Sequence, residues 1–208
     1  MTETDVCNMA LGMLGHDRVI SGDFRTATST EALRCRLFFD ASRRAVLSSD
    51  GHHWRFAEDT IKLDLEAPQN PDEYGDLPYL YQLPEDCLNI IRVHRREDDK
   101  WPVDFVPSGR YVRCSEERAT VIYVRDMKEI ADWPQLPLDA LCAELAARLA
   151  GPMTGNVDKA KAAKQDAKNA LRAAQLWNAK QFENPPSRDD RYVISRGCHR
   201  GERPNGRR

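Results

Sequence analysis

Apolar residues near the start of the chain recur at helical spacing and predict two amphipathic helices. The first is preceded by a capping-box pattern at 2–5 and is predicted over about 3–15. The second starts from another capping pattern at 28–31 and reaches about Ser48. A loop rich in small polar residues separates them, so each helix presents one apolar face to a shared core.

The same spacing returns in the last third of the chain and predicts two more helices. Pro137 stands where a helix can begin, and the apolar stripe that follows ends at Gly151-Pro152. Asn156 then caps an alanine- and lysine-rich run that is predicted to continue to about Phe182. The chain therefore has helices at both ends of its folded part.

Between the helices, apolar and polar residues partly alternate and prolines interrupt the chain, which is typical of strands and loops. Strands are predicted near 54–58, 79–83, 88–95, 101–106, 110–114 and 119–124. The connections are too short for crossover helices, so the predicted sheet is mainly antiparallel.

These elements predict an α+β protein: a helical bundle with a small, mainly antiparallel β-sheet subdomain and an extended C-terminal tail. The boundaries divide the chain into N-terminal helices of the bundle (1–50), a β-rich subdomain (51–135), C-terminal helices of the bundle (136–183) and a flexible basic tail (184–208). Two apolar residues, Trp54 and Phe56, are predicted to be core anchors that join the helical part to the sheet.

Composition adds little about partners until the tail is considered. The 208 residues are 31% charged with a formal net charge of −2, which does not indicate binding to nucleic acid or membrane. Residues 191–208, in contrast, carry six arginines against the single carboxylate of Glu202. Residues 187–208 have too few apolar side chains to fold alone, so we expect them to be disordered until a partner orders them.

Candidate chemistry is sparse. The six cysteines include no C-x-x-C pair and are predicted to be mostly buried free thiols, as in a chain made in a reducing cytoplasm with neither signal peptide nor membrane span. Adjacent residues on a strand point to opposite faces, so His52 and His53 are a poor chelate. No nucleotide, nucleophile or metalloprotease motif occurs, and the clustered carboxylates fit solvated turns. We therefore expect no catalytic residue, no metal site and no cofactor.

Four arginines of the second predicted helix could form a binding patch, although a solvated face with local salt bridges is the favoured interpretation. They are Arg34, Arg36, Arg43 and Arg44. The aromatic residues of the predicted sheet lack the interleaved basic residues of a base-stacking platform, so packing is the better explanation for them.

Three short motifs in a fixed order resemble one protein family. They are W-R-F-A at 54–57, the Y-x-L-P-x-D-C-L type string at 81–88, and the A-L-x-x-E-L-A-x-x-L-A type helix at 140–150. Together with the order of helices and strands, they make residues 3–182 similar to the head-to-tail adaptors of short-tailed bacteriophages, the tail tubular protein A family.

The resemblance implies a noncatalytic structural protein of the virion, made in the host cytoplasm. Subunits of this kind form a ring, commonly of twelve copies, between the capsid portal protein and a tail nozzle or tail tubular protein, and viral DNA passes through the lumen without sequence-specific contact. In such a protein the string containing Tyr81 and Pro84 would be a structural corner leading into the sheet. The arginine-rich extension after Pro186 departs from the simplest members of the family. Docking to the phage tail is therefore the least defined part of what the resemblance implies.

The tail is the predicted contact with the portal or a neighbouring subunit. Its arginines can make charge-assisted contacts to carboxylates, and its apolar triplet can add a short strand to an exposed sheet edge. The residues concerned are Arg191, Tyr192, Val193, Ile194, Arg196 and Arg200. Two other functions stay open: a tail-associated peptidoglycan hydrolase that uses paired carboxylates, and a small nucleic-acid-binding protein that uses the basic tail.

Overall fold

The computed structural model describes residues 1–17, 19–68, 76–95 and 102–181 and shows an α+β fold. Within these ranges the helices are α1 (Glu3–Met13), α2 (Thr30–Leu47), α3 (Gln135–Thr154) and α4 (Val157–Lys180). The strands are β1 (Glu58–Lys62), β2 (Leu65–Pro68), β3 (Tyr79–Gln82), β4 (Cys87–His94), β5 (Phe105–Ser108), β6 (Tyr111–Cys114) and β7 (Thr120–Arg125). Short 3₁₀ helices occupy Ser49–Gly51, Arg55–Ala57 and Ile130–Asp132.

The caps predicted for two helices are present. Thr2 and Asp5 form the reciprocal capping box of α1, and the side chain of Asn156 accepts the first free N–H groups of α4. Helix α2 is capped by Ser29 rather than Thr28. Hydroxyl and amide side chains thus set the start of three helices.

Helix α3 is longer than predicted at both ends. It begins at Gln135, before Pro137, and it continues through Gly151-Pro152 to Thr154. Pro152 has no backbone N–H and so removes one hydrogen bond from the helix. It lies in the last turn of α3, which ends at Thr154. Gly155 then ends the helix in the left-handed region, with φ of 61°, where an L side chain would be strained.

The strands form two antiparallel sheets instead of the single sheet that was predicted. One has three strands in the order β1-β7-β4, and the other has four in the order β2-β3-β6-β5. Register shifts in β4 against β7, and in β2 against β3, mark irregularities where the strands bend. The pairing is antiparallel throughout the described strands, as the short connections predicted.

Two predicted strands are displaced. The strand predicted at 54–58 is wrong, because Trp54 precedes a 3₁₀ turn at Arg55–Ala57 and β1 starts only at Glu58. Strand β2 was not predicted. The run predicted at 101–106 begins at Phe105 in the described part of the chain, while Trp101 lies outside it.

The three-stranded sheet lies between the helices and the four-stranded sheet. On one side, buried Val124 and half-buried Leu88 and Ile91 belong to the core formed by the helices. On the other side, Val121 and Tyr123 join a second core with residues of the four-stranded sheet. Two hydrophobic cores therefore share one sheet. The division of the chain into four segments stays a prediction.

Candidate interaction surfaces

Trp54 sits fully buried where the helices meet the three-stranded sheet. Its side chain is 0% exposed, and its indole N–H donates to the carbonyl of Val46 at 2.9 Å. Its ring contacts Phe56, with centroids 5.7 Å apart, and Phe56 in turn contacts Trp133 at 5.3 Å. Both predicted anchors thus lie in one aromatic chain that runs from Trp54 to Trp133, although Phe56 is only half-buried.

Asn178, near the end of α4, ties that helix to the segment around Trp54, and sequence reasoning missed it. Its carbonyl oxygen accepts the backbone N–H of Arg55 at 3.1 Å. Its amide nitrogen donates to the carbonyl of His53 at 2.6 Å and lies 3.0 Å from Nε2 of His52. The sequence carries no signal for this role, because the burial of the amide and the partners that satisfy it arise only in the fold.

Contrary to the prediction, the two histidines do not lie on a strand, and each has its own contact. They lie in an irregular segment before the 3₁₀ turn, where His52 packs edge-on against Trp54 and Nε2 of His53 lies 2.6 Å from the Glu58 carboxylate. Burial, and secondarily the nearby charge of His53, lowers the pKa of His52. The lowered pKa favours the neutral ring, whose Nε2 can accept the Asn178 N–H.

The string around Pro84 forms a corner between the two sheets. It leaves the four-stranded sheet after β3 and enters the three-stranded sheet as β4. The N–H of Leu83 donates to the carbonyl of Arg110 at 2.9 Å, and the N–H of Cys87 donates to the carbonyl of Pro84 at 3.1 Å. A proline turn with both flanks hydrogen-bonded fixes the direction in which the chain crosses.

The side chains of Tyr81 and Asp86 hold this corner. Tyr81 is fully buried, its hydroxyl donates to the carbonyl of Glu116 at 2.7 Å, and burial raises its pKa. The Asp86 carboxylate accepts the Tyr123 hydroxyl at 3.2 Å, while its carbonyl accepts the N–H of Asp126 at 2.7 Å. Asp86 is thus engaged in joining β4 to the end of β7.

The four arginines of α2 reach distant parts of the chain, so the predicted solvated face with local salt bridges is incomplete. Arg34 donates to the carbonyl of Pro152 in α3, and Arg36 donates to the carbonyls of Arg25 and Ala27. Arg43 is buried and forms the most enclosed ion pair, with Asp126 at 3.0 Å. The arginines of α2 therefore hold loops and helices in place.

Two arginines share the Asp126 carboxylate. Burial alone would raise the pKa of Asp126, but hydrogen bonds and charge from Arg43 and Arg44 outweigh it and lower the pKa below its usual value. The Asp126 and Arg43 side chains are only 5% and 2% exposed, whereas Arg44 is 59% exposed. The pair connects α2 to the residue that follows β7.

Two open grooves flank the contact between α3 and α4, where Ala143, Ala147 and Ala167 pack closely. We name the first the α1-side groove; it has a volume of about 610 Å³, and its lining includes Met13, Asp139, Lys159, Ala162 and Asp166. We name the second the α2-side groove; it has a volume of about 580 Å³, and its lining includes Phe38, Glu144, Arg148, Lys164 and Lys168. Sequence reasoning missed both grooves, because alanine spacing does not show which faces stay uncovered.

The six predicted contact residues of the tail, 191–194, Arg196 and Arg200, lie outside the described residues. No protein-family description matches this chain, and no curated protein matches it significantly. Among the described residues, no helix is long and apolar enough to cross a membrane, and no group of three or more histidine, cysteine or acidic side chains is arranged to hold a metal ion.

Proposed function

We propose that this chain is a structural subunit of a bacteriophage particle, a head-to-tail adaptor. Copies of it form a ring, of about twelve subunits by resemblance to such adaptors, that binds the portal protein on one side and a tail component on the other. DNA crosses the lumen without sequence-specific contact. The protein works by shape and by the rigidity of its joints, and no covalent chemistry is assigned to its residues.

The observation that carries this proposal is that each of the three resembling motifs lies at a joint or packing position of the fold. W-R-F-A at 54–57 joins the helices to the sheet, the string at 81–88 turns between the two sheets, and 140–150 is the most buried stretch of α3. A ring subunit that transmits force between capsid and tail needs such joints to be stiff. The motifs therefore support a scaffold role.

Two carboxylates near the corner, Asp86 and Asp126, favour the scaffold over the hydrolase. Glycosidases need two carboxylates facing one substrate cleft. Here Asp86 accepts a tyrosine hydroxyl and Asp126 is held by two arginines, so both already stabilise the fold. We assign portal binding to the tail, through Arg191, Arg196 and Arg200 and the apolar triplet Tyr192–Ile194.

The test is to mix the purified chain with the portal protein encoded by the same genome and to measure the complex by particle imaging and native mass. A closed ring bound to portal at a fixed stoichiometry is expected. Absence of any complex across a range of concentrations and salt would overturn the proposal. Clearing of purified cell walls that a single carboxylate substitution abolishes would instead establish the hydrolase.

A further inference from the structure

One flank of the helical body exposes methionines beside an acidic groove. Met9 and Met13 lie one turn apart on α1, and Met13 is 56% exposed at the edge of the α1-side groove. The charged groove residues are two carboxylates, Asp139 and Asp166, against one ammonium, Lys159. Neither carboxylate forms an ion pair with another described residue, so this flank offers flexible apolar side chains with unneutralised negative charge.

The opposite flank exposes two leucines on α2, the helix whose Phe38 borders a basic groove. Leu33 and Leu37 lie one turn apart on α2, and Leu37 is 70% exposed. Its neighbour Phe38 lines the α2-side groove.

Lys164 and Lys168 also line the α2-side groove, and neither pairs with a described carboxylate. Arg148, in the same lining, is paired with Glu144 at 2.8 Å. This flank therefore carries net positive charge next to exposed leucines.

The two flanks are complementary in charge and alike in apolar character. They lie on the two sides of the same α3–α4 pair, so one subunit carries both. Surfaces that are complementary but different make a heterologous contact, which repeats from copy to copy and closes into a ring when the rotation allows. An acidic flank would repel a copy of itself, which argues against a symmetric dimer through either flank.

We propose that the occupant of each flank is a second copy of this chain, with Leu33 and Leu37 of one subunit seated against Met9, Met13 and the α1-side groove of the next. Lys164 and Lys168 then face Asp139 and Asp166 across the contact. The inference rests on the proposed function only in taking the repeated contact to close as a ring. The contact itself follows from the two flanks.

Charge reversal gives the sharpest test. Variant one carries D139K and D166K, and variant two carries K164E and K168E. Each variant alone then has two flanks of like charge. Sedimentation equilibrium of the full chain at rising concentration and low salt is expected to show weak self-association of the wild type and its loss, by about tenfold or more in association constant, in either variant. An equimolar mixture of the two variants is expected to regain the wild-type level.

Substitution of apolar flank residues by glutamate provides a second test of the contact. L37E and M13E should each weaken self-association by about tenfold or more, because a charge replaces an apolar side chain that the contact buries. L176E is the matched control: Leu176 is exposed on α4, and neither it nor its chain neighbours line a groove. Melting temperatures of all variants check that the fold is kept.

The outcomes separate this inference from the proposed function. A wild type that stays monomeric at every concentration, or variants that regain nothing when mixed, would overturn the head-to-tail contact. Recovery in the mixture establishes the contact even when no portal complex forms, in which case only the adaptor function fails. If the variant with D139K and D166K still forms portal-bound rings, the adaptor function stands and the proposed contact between subunits is wrong.

Discussion

The buried ion pair between Arg43 and Asp126 is the residue-scale feature on which the helical body depends. Two charges that are removed from water are costly unless each keeps its partner. Arg43 donates to both oxygens of Asp126 and also to Asp40, so its guanidinium is well satisfied. Loss of one member leaves the other charge buried and unpaired.

We therefore expect D126N to lower the free energy of unfolding by about 3–5 kcal/mol at pH 7. D40N is the matched control, because Asp40 binds the same arginine from an exposed position and its loss should cost about 1 kcal/mol or less. Chemical denaturation of both variants measures the difference. Equal effects from the two substitutions would show that burial of the pair contributes nothing.

The pH dependence of the same pair has a defined sign. The pKa of Asp126 is lower in the folded chain than its ordinary value of 3.8, so the folded state binds fewer protons there. The stabilisation is fully present above pH 3.8 and is lost as pH falls through the folded pKa. The difference in melting temperature between wild type and D126N should thus be constant from pH 7 to about pH 5 and shrink below pH 3.8. A difference that grew in acid would contradict the assignment.

Trp54 gives a prediction that was available from the sequence. Truncation of a buried aromatic side chain costs about 3–5 kcal/mol, so W54A should lower the melting temperature substantially. W54F keeps an aromatic ring but loses the hydrogen bond to Val46, so a smaller loss is expected. Unchanged melting of W54A, with assembly lost, would instead make Trp54 an interface residue.

Burial could be predicted from the sequence for residues whose apolar side chains alone are enough to place them in the core. Trp54 and Tyr81 are buried because large aromatic side chains leave water in almost any compact fold. Arg43 and Asn178 are also buried, but only because partners at distant positions satisfy them. One sequence does not display such pairings, since the partners become neighbours only after folding.

At the scale of elements, the end of α4 is fixed by hydrogen bonds rather than by apolar packing. Three groups around Trp54 contact the Asn178 amide at hydrogen-bond distance: the ring of His52, the carbonyl of His53 and the N–H of Arg55. N178A would leave the N–H of Arg55 and the carbonyl of His53 without that partner, at a cost of about 1–3 kcal/mol. Hydrogen exchange should show faster exchange at Arg55 and in the last turn of α4, with α3 unchanged. Uniform acceleration across all helices would show global destabilisation instead.

The starts of α1 and α4 were predictable because capping is local. Thr2 and Asn156 act within three residues of their own positions. Sheet assignment was not predictable, since the corner at Pro84 gives no sign in its own sequence that β3 and β4 belong to different sheets. The strand predicted at 54–58 failed for a related reason: Trp54 and Phe56 pack on the helices and on Trp133, not across a sheet.

At the scale of the whole molecule, we expect the isolated subunit to be a monomer or a weak oligomer, with the portal as template for the ring. Large obligate interfaces are usually hydrophobic. The exposed apolar residues on the two flanks of the described helices are few and interspersed with charge. Native mass measurement at micromolar concentration should show monomer, with weak association at most, when portal is absent and a complete ring when portal is present. A stable dodecamer in dilute solution without portal would contradict this expectation.

The tail supplies the last prediction, because a ring multiplies weak contacts. If each subunit contributes one modest interaction, tethered copies bind with a much greater effective affinity than one copy alone. Deletion of 187–208 removes seven arginines and the apolar triplet but no residue of either described core. The melting temperature of the isolated subunit should therefore stay nearly unchanged while stable association with portal is lost.

A charge-matched pair of variants distinguishes specific contacts from general basicity. Substitution of Arg191, Arg196 and Arg200 by alanine should reproduce the loss of portal binding, because these flank the apolar triplet that we expect to dock. Substitution of Arg203, Arg207 and Arg208 removes the same charge beyond that segment and should leave most of the affinity. Equal losses from both triple variants would indicate non-specific attraction, and normal assembly of the deleted chain would remove the tail from the interface altogether.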